Sequence, residues 1–241
     1  MATSLALLIT AAFLLCVIGL LLKMWQYWKT PAPLKIAVTP APTTSAGVFY
    51  RMFREVIFFE SLFKSNKWIW VFGYLFHFAM LLVLVRHLRY FTEPVWTWVE
   101  VLQPFGKYAG FAMAFGITCL WARRFLVDRV RYISSLSDHL MLALLLGIVL
   151  SGLGMTYVAH TDVISVKSFA LGLLVFDWQP LTMDLLLLVH LSLVVILLAI
   201  FPFSKLLHVP GVFFSPTRNQ SDNARNYRHL ADWAAKLDHK N

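Results

Sequence analysis

Charged residues are scarce in this sequence: they make up 14% of the 241 residues, and only 12 are acidic. Soluble domains carry about a quarter charged residues, so the scarcity excludes an ordinary soluble protein. Cysteine is also rare, and Cys16 and Cys119 lie in apolar runs, which excludes a disulfide framework and a CxxC metal or redox motif. Apolar residues take the place of both, at 59% of the chain. We therefore expect a membrane protein with several spans.

Five apolar stretches are long enough to cross a hydrocarbon core of about 30 Å as helices, which takes about 20 residues each. They lie near residues 4–25, 68–91, 105–125, 138–157 and 181–203, and the last could continue to Val209. The predicted fold class is an all-α integral membrane bundle of five transmembrane helices. Two further helices are predicted outside the spans, an amphipathic interfacial helix over residues 54–68 and a second over residues 163–176.

Lysine and arginine are concentrated in every second loop between the predicted spans. Six lie in residues 29–67, four in residues 123–137 and six from residue 204 onward, whereas the two alternate loops are poor in them. Basic loops face the cytoplasm, so the net charge of +9 indicates cytoplasmic loops rather than a nucleic-acid partner. The prediction is a multi-pass protein of the cytoplasmic (inner) membrane, in contact with lipid, with its N-terminus outside and its C-terminus in the cytoplasm.

Four of the eight histidines fall on two predicted spans. His77 and His87 lie on the second, and His190 and His208 lie on or just beyond the fifth. Hydrocarbon is a poor solvent for imidazole, so two histidines on each of two spans indicate function. Neutral imidazole ligates haem iron, and two imidazoles saturate it, which suits electron transfer rather than oxygen binding. The four histidines are therefore candidate axial ligands of haem iron.

The histidine spacing suggests two pairings. Ten residues separate His77 from His87 and eighteen separate His190 from His208, or about 15 Å and 27 Å of helical rise. The second and fifth spans run in opposite directions, so antiparallel packing pairs His87 with His190 and His77 with His208, each with an axial offset of about 6 Å. A rival pairing of His77 with His190 fits a single mid-membrane haem, and geometry alone excludes neither.

Arg86 and Arg89 adjoin His87. Two roles are open for them: contact with haem propionates or a quinone pocket, or snorkelling to the membrane interface.

The five spans, the histidine spacing and the basic tail resemble the gamma subunit family of respiratory nitrate reductases, which are di-haem b, quinol-oxidising membrane anchors. The ending FPFSKLLHVPGVFFSPTRNQSDNARNYRHLADW, residues 201–233, looks like that of the cytochrome b subunits of Dsr membrane complexes, which serve dissimilatory sulfur metabolism. The resemblance implies that His77, His87, His190 and His208 hold two b haems in the antiparallel pairing. It also implies quinone or quinol as substrate, a cytoplasmic iron–sulfur subunit similar to heterodisulfide reductase, and further subunits of a Dsr-type complex.

This interpretation divides the chain into four parts. They are a first transmembrane helix (1–28), a cytoplasmic loop with an interfacial helix (29–67), a four-helix haem-binding membrane core (68–209) and a cytoplasmic tail that docks a partner (210–241). The predicted function is electron transfer between membrane quinone and the cytoplasmic subunit, as part of a quinone-linked oxidoreductase complex. Two alternatives stay open: a gamma subunit of a nitrate reductase-type complex, and a non-redox anchor or transporter with structural or proton-carrying histidines.

Overall fold

A computed structural model describes residues 2–30, 37–38, 40–182 and 184–223, together with 230, 234 and 237. Over these residues the regular secondary structure is helical and contains no strand. By length and composition, four helices of this part can cross a membrane: Ala2–Lys29, Lys67–Tyr90, Leu136–Ala159 and Leu185–Phe203. The predicted all-α membrane class is confirmed, with four of the five predicted spans.

The helices are α1 (Ala2–Lys29), α2 (Ser45–Phe58), α3 (Glu60–Ser65), α4 (Lys67–His87), α5 (Thr97–Leu126), α6 (Asp128–Ile133), α7 (Leu136–Gly154), α8 (Val163–Val175), α9 (Leu185–Ile200), α10 (His208–Gly211) and α11 (Pro216–Asn219). Short 3-10 turns extend α4 and α9, and a π turn over Met155–Ala159 extends α7. The chain forms two compact units. The first contains the chain up to Ile18 and Leu62–Pro202, and the second contains Gly19–Ser61 and the chain after Pro202.

In the first unit, α4 and α5 pack closely because glycines of α5 face α4. A methyl group on Gly116 would lie 3.1 Å from Cβ of Phe76, and one on Gly106 would lie 2.7 Å from Cβ of Arg86. Going back ten residues along α5, from Gly116 to Gly106, moves the contact forward ten residues along α4, from Phe76 to Arg86. The two helices are therefore antiparallel. α5 also packs on α7, and α7 packs on α9. The buried core of this bundle is Phe76, Ala79, Ala109, Met113, Ile117, Leu145 and Val149.

The third predicted span, residues 105–125, lies within the 30-residue helix α5. At about 1.5 Å per residue, α5 is long enough to cross a bilayer. It is not one of the four helices that meet both requirements, length and apolar composition. Its first half lowers the mean hydropathy, because it carries Glu100, Gln103, Pro104 and Lys107. Length and composition therefore support four spans directly, and a fifth depends on how α5 packs.

The start of α9 is fixed by Asp184. Its Oδ1 accepts the backbone N–H of Leu187 at 2.8 Å, and its Oδ2 accepts the hydroxyl of Thr161 at 2.6 Å. A carboxylate at this position satisfies an unpaired N–H of the first helical turn. The hydrogen bond from Thr161 holds the pKa of Asp184 below its usual range, so the carboxylate stays charged as a helix cap.

The predicted fifth span, residues 181–203, agrees with the candidate span Leu185–Phe203, but the continuation to Val209 that the sequence left open is not formed as an α-helix. The α-helix stops at Ile200 and is followed by a 3-10 turn over Phe201–Phe203. Pro202 lacks the N–H that an α-helix needs, and Ser204 is extended, with its hydroxyl accepting the N–H of Leu206 at 3.2 Å. The calculation of 27 Å of rise between His190 and His208 therefore does not apply.

The segment predicted as one interfacial helix over residues 54–68 belongs to the second unit up to Ser61 and to the first unit from Leu62 onward. The structure instead forms α2 and α3, which are separated by Phe59 in the left-handed region at φ 51°. Glu55 of α2 accepts from Arg218 at 2.6 Å and also from the hydroxyl of Ser61. The N–H of Asp222 donates to the carbonyl of Pro42 at 2.8 Å, so residues 216–222 are hydrogen-bonded to the segment around α2. The second of the two helices predicted outside the spans, over residues 163–176, is present as α8.

Candidate haem-binding site

His87 and His190 face each other within the first unit. Their ring centroids lie 6.4 Å apart and their planes are nearly parallel, at 12°. A metal–imidazole bond is about 2 Å and a nitrogen lies about 1 Å from its ring centre, so two imidazoles on one metal ion have centroids roughly 6 Å apart. The last residue of α4 and the sixth residue of α9 are thus spaced as two axial ligands of one iron would be.

The hydrogen bonds of these two histidines define their tautomers. Nδ1 of His87 lies 2.7 Å from the carbonyl of Val83, and Nδ1 of His190 lies 3.1 Å from the carbonyl of Ile148. A carbonyl only accepts, so Nδ1 carries the proton in each neutral ring. Nε2 then keeps its lone pair. A metal-bound histidine normally has this arrangement, in which a backbone oxygen holds the other ring nitrogen.

Two neighbouring residues of α7 shape the surroundings of His190, which is buried. Ser151 Oγ lies 3.0 Å from Nδ1 of His190 and donates to the carbonyl of Gly147 at 2.8 Å, so the hydroxyl can accept the imidazole proton. A methyl group on Gly152 would lie 3.4 Å from Cε1 of His190. The sequence analysis missed both residues, because 39 residues separate Ser151 from His190 and no local pattern connects them.

The other two candidate histidines have the same tautomer. Nδ1 of His77 lies 2.7 Å from the carbonyl of Gly73, and Nδ1 of His208 lies 2.9 Å from the carbonyl of Lys205. Each ring therefore donates from Nδ1 and keeps a lone pair on Nε2. His77 belongs to the first unit and His208 to the second, so their predicted pairing stays a prediction.

His139 provides a contrast. The indole N–H of Trp121 donates to its Nδ1 at 3.0 Å. Nδ1 is thus an acceptor, and the proton of the neutral ring is on Nε2. This is the reverse of the arrangement at the four candidate ligands, and it agrees with a packing role at the end of α7.

The two arginines next to His87 have different surroundings. Arg86 packs its Cβ and Cδ over Gly106 of α5. Arg89 donates to the hydroxyl of Tyr90 at 2.8 Å and reaches Oε1 of Gln103 at 3.5 Å. The ring of Tyr90 lies 5.9 Å from that of His87. Arg89, Tyr90 and Gln103 therefore form a polar cluster beside the histidine pair, and Gln103 is a member that the sequence analysis did not identify.

The geometry defines a class of protein: a helical membrane protein with two nearly parallel imidazoles whose centroids lie 6.4 Å apart and whose Nδ1 atoms donate to backbone carbonyls. Residues 46–229 match the nitrate reductase gamma subunit family. The chain belongs to this family, as the resemblance predicted.

Two curated relatives cover most of the chain. Both are named Hdr-like menaquinol oxidoreductase cytochrome b-like subunit. The protein from Archaeoglobus fulgidus is 35% identical over 90% of this chain and 79% of its own length. The protein from Archaeoglobus profundus is 32% identical over 92% of this chain and 80% of its own length.

The residues fit a b-type haem better than a metal ion held by protein alone. In the part of the chain that the structure describes, no three or more His, Cys, Asp or Glu side chains form a metal-binding group. Haem iron needs only two axial side chains, because the macrocycle supplies the other ligands. His87 and His190 meet that requirement through their spacing and through the lone pair on each Nε2.

Proposed function

We propose that this protein is a di-haem b membrane subunit that passes electrons between membrane quinone or quinol and a cytoplasmic iron–sulfur subunit of the heterodisulfide reductase type. The observation that carries the proposal is the parallel His87–His190 pair at 6.4 Å in a membrane bundle. The names of the two Archaeoglobus relatives, a cytochrome b-like subunit of a menaquinol oxidoreductase, support it. Haem bound there supplies one-electron transfer.

In this proposal the chain's own residues hold and orient the haems. His87 and His190 are the ligands of an outer haem, with Ser151 and the carbonyls of Ile148 and Val83 holding their Nδ1 atoms. His77 and His208 are the ligands of an inner haem near the cytoplasmic partner.

The sequence ending supports a place in dissimilatory sulfur metabolism, as a subunit of a Dsr-type complex. Part of that ending lies outside the described residues, which stop being continuous after Asn223. The printed names of the relatives refer to Hdr-like complexes, and an iron–sulfur partner of that type agrees with a Dsr-type assembly. We propose that the tail after residue 210 docks this partner, and that α2 lies in the cytoplasmic interface of the membrane.

The number of haems is the direct test of the proposed function. Purified protein should show a reduced-minus-oxidised spectrum of b-type haem, with two haems per chain and two components in a redox titration. A chain without haem after expression with its complex would contradict the proposal and favour the non-redox anchor. A ratio of one haem per chain would support the rival pairing of His77 with His190.

We further propose that α5 is a fifth span. Its register on α4 runs from Gly106 opposite Arg86 to Gly116 opposite Phe76, and Phe115 also contacts Phe72. These contacts extend over 14 residues of α4, or about 21 Å of rise. Because α4 is apolar enough to cross the membrane, a helix packed along it in this register crosses with it. Glycine at the contacts allows such close packing between membrane helices.

Five spans would put the two termini on opposite sides of the membrane. The basic loops then place the N-terminus outside and the C-terminus in the cytoplasm, and reporter fusions test this order. A reporter that is active only in the cytoplasm should be silent after Trp96, before α5, and active after Leu126, at its end. It should also be active after Asn241. The fusions after Trp96 and after Leu126 are the matched pair, because the two fusion proteins differ only by α5. Equal activity at both sites would show that α5 does not cross.

A further inference from the structure

Two buried nitrogen atoms of the polar cluster beside His87 have no hydrogen-bond partner. They are Nε of Arg89 and Nε2 of Gln103. Arg89 is the second-to-last residue of the candidate span Lys67–Tyr90, and the protein itself shields both nitrogen atoms from solvent. A buried donor without a partner destabilises the structure. Two such donors in one cluster indicate that an acceptor binds there.

The orientation of Gln103 follows from its neighbour. A guanidinium only donates, so the amide oxygen of Gln103 is the atom that faces Nη1 of Arg89, at 3.5 Å. The amide N–H₂ group is then directed away from Arg89. Both unpaired groups are therefore donors, and the missing partner is an oxygen acceptor.

The charge of Arg89 selects the kind of acceptor. Its hydrogen bonds go to the neutral groups of Tyr90 and Gln103. Across the described residues no carboxylate lies within salt-bridge distance of Arg89, and the nearby Glu93 is paired with Lys167 instead. A buried cation in low dielectric needs an opposite charge. A carboxylate meets both requirements, whereas a neutral quinone carbonyl meets only the need for an acceptor.

The position of the cluster identifies the source of that carboxylate. Arg89 follows His87 by two residues, and Tyr90 packs at 5.9 Å from the His87 ring. Gln103 is three residues before Gly106, which packs on Arg86, so α5 brings the amide to the same end of α4. We infer that Arg89 and Gln103 bind a propionate carboxylate of the haem that His87 and His190 hold. This inference rests on the proposed function and adds the residues that anchor its outer haem.

Redox titration of the full-length protein in its complex tests the inference. A nearby cation stabilises the reduced, more negative haem, so Arg89→Leu should lower the potential of the component assigned to His87 and His190. We expect on the order of a tenfold change in the ferrous-to-ferric ratio, which is about 59 mV for one electron. Gln103→Leu should lower the same potential by less, because a neutral donor is lost. Arg89→Lys keeps the positive charge, so its haem potential should stay close to that of the wild-type protein.

The matched control is Gln179→Leu, since Gln179 is also a glutamine of the first unit but is bonded to Asp177. It should leave both components unchanged. The second haem component of each variant reports whether the protein has folded. If Arg89→Leu does not assemble, the potentials of Arg89→Lys and Gln103→Leu test the inference instead. Unchanged potentials in the Arg89 and Gln103 variants, with a raised KM for quinol, would overturn the inference and assign the donors to quinone. A wild-type protein without haem would instead refute the proposed function.

Discussion

His87→Ala and His190→Ala should each remove the same haem from the purified protein, and the haem-to-protein ratio should fall from two to one. The two rings lie 6.4 Å apart and parallel, with both Nδ1 atoms donating to backbone carbonyls. Without one ring, the iron keeps a single protein ligand. The lost component should be the same in both variants, in the spectrum and in the redox titration, and quinone-linked activity should fall to background.

His160→Asn is the matched control for the outer pair. His160 follows the π turn Met155–Ala159, adopts the left-handed region at φ 52° and is exposed. Asparagine tolerates that conformation, so the variant should keep both haems. The assignment of the outer pair would fail if His87→Ala kept both haems, or if His190→Ala and His77→Ala removed one common component. The second result would establish a single mid-membrane haem.

His77→Ala and His208→Ala should each remove the other haem and leave the outer one intact. The expected ratio is again one haem per chain. In these variants the outer haem should still be reduced by quinol, but electrons should not reach the cytoplasmic iron–sulfur subunit, because in the proposed function the inner haem would connect the two. Single-turnover reduction by quinol, followed by the reduction state of the partner, separates these two steps.

His139→Ala is the control for the inner pair. His139 lies in the first turn of α7, and its Nδ1 accepts from Trp121, so its loss should not change the haem content. Transfer of electrons to the partner at the wild-type rate in His208→Ala would remove His208 from the proposed path. The prediction for this pair depends on chain direction and on the Nδ1 donors of both rings.

The sequence was sufficient for the membrane-spanning helices that have uniform apolar composition. Three predicted spans, near residues 4–25, 68–91 and 138–157, agree with α1, α4 and α7 to within a few residues. Hydrocarbon forces the backbone to satisfy its hydrogen bonds within the helix, so apolar length alone defines such elements. The fifth predicted span, residues 181–203, also agrees with the candidate span Leu185–Phe203. The continuation to Val209 is not formed, because Pro202 and the extended Ser204 end the α-helix before His208.

The candidate site was predicted in part. The histidines were identified because a histidine within a long apolar run is rare and can be recognised from the sequence alone. The residues that hold them were not, because Ser151 and Gly152 reach His190 from another helix, and Gln103 reaches Arg89 across the α4–α5 interface. A serine, a glycine and a glutamine in helices of this composition carry no signal of their own.

The sequence by itself determined that this is a helical membrane protein of the nitrate reductase gamma subunit family, and which four histidines are candidate ligands. Composition and spacing are properties of the chain, and the bilayer converts them directly into helices. Only the tertiary structure decided that the His87 ring lies beside the His190 ring, which nitrogen of each ring donates to a backbone carbonyl, and which donors near His87 lack a partner. These features depend on the register between helices, and that register is set by contacts such as Gly116 on Phe76 and Gly152 on His190. Such contacts join residues roughly 40 positions apart along the chain, so no local pattern contains them.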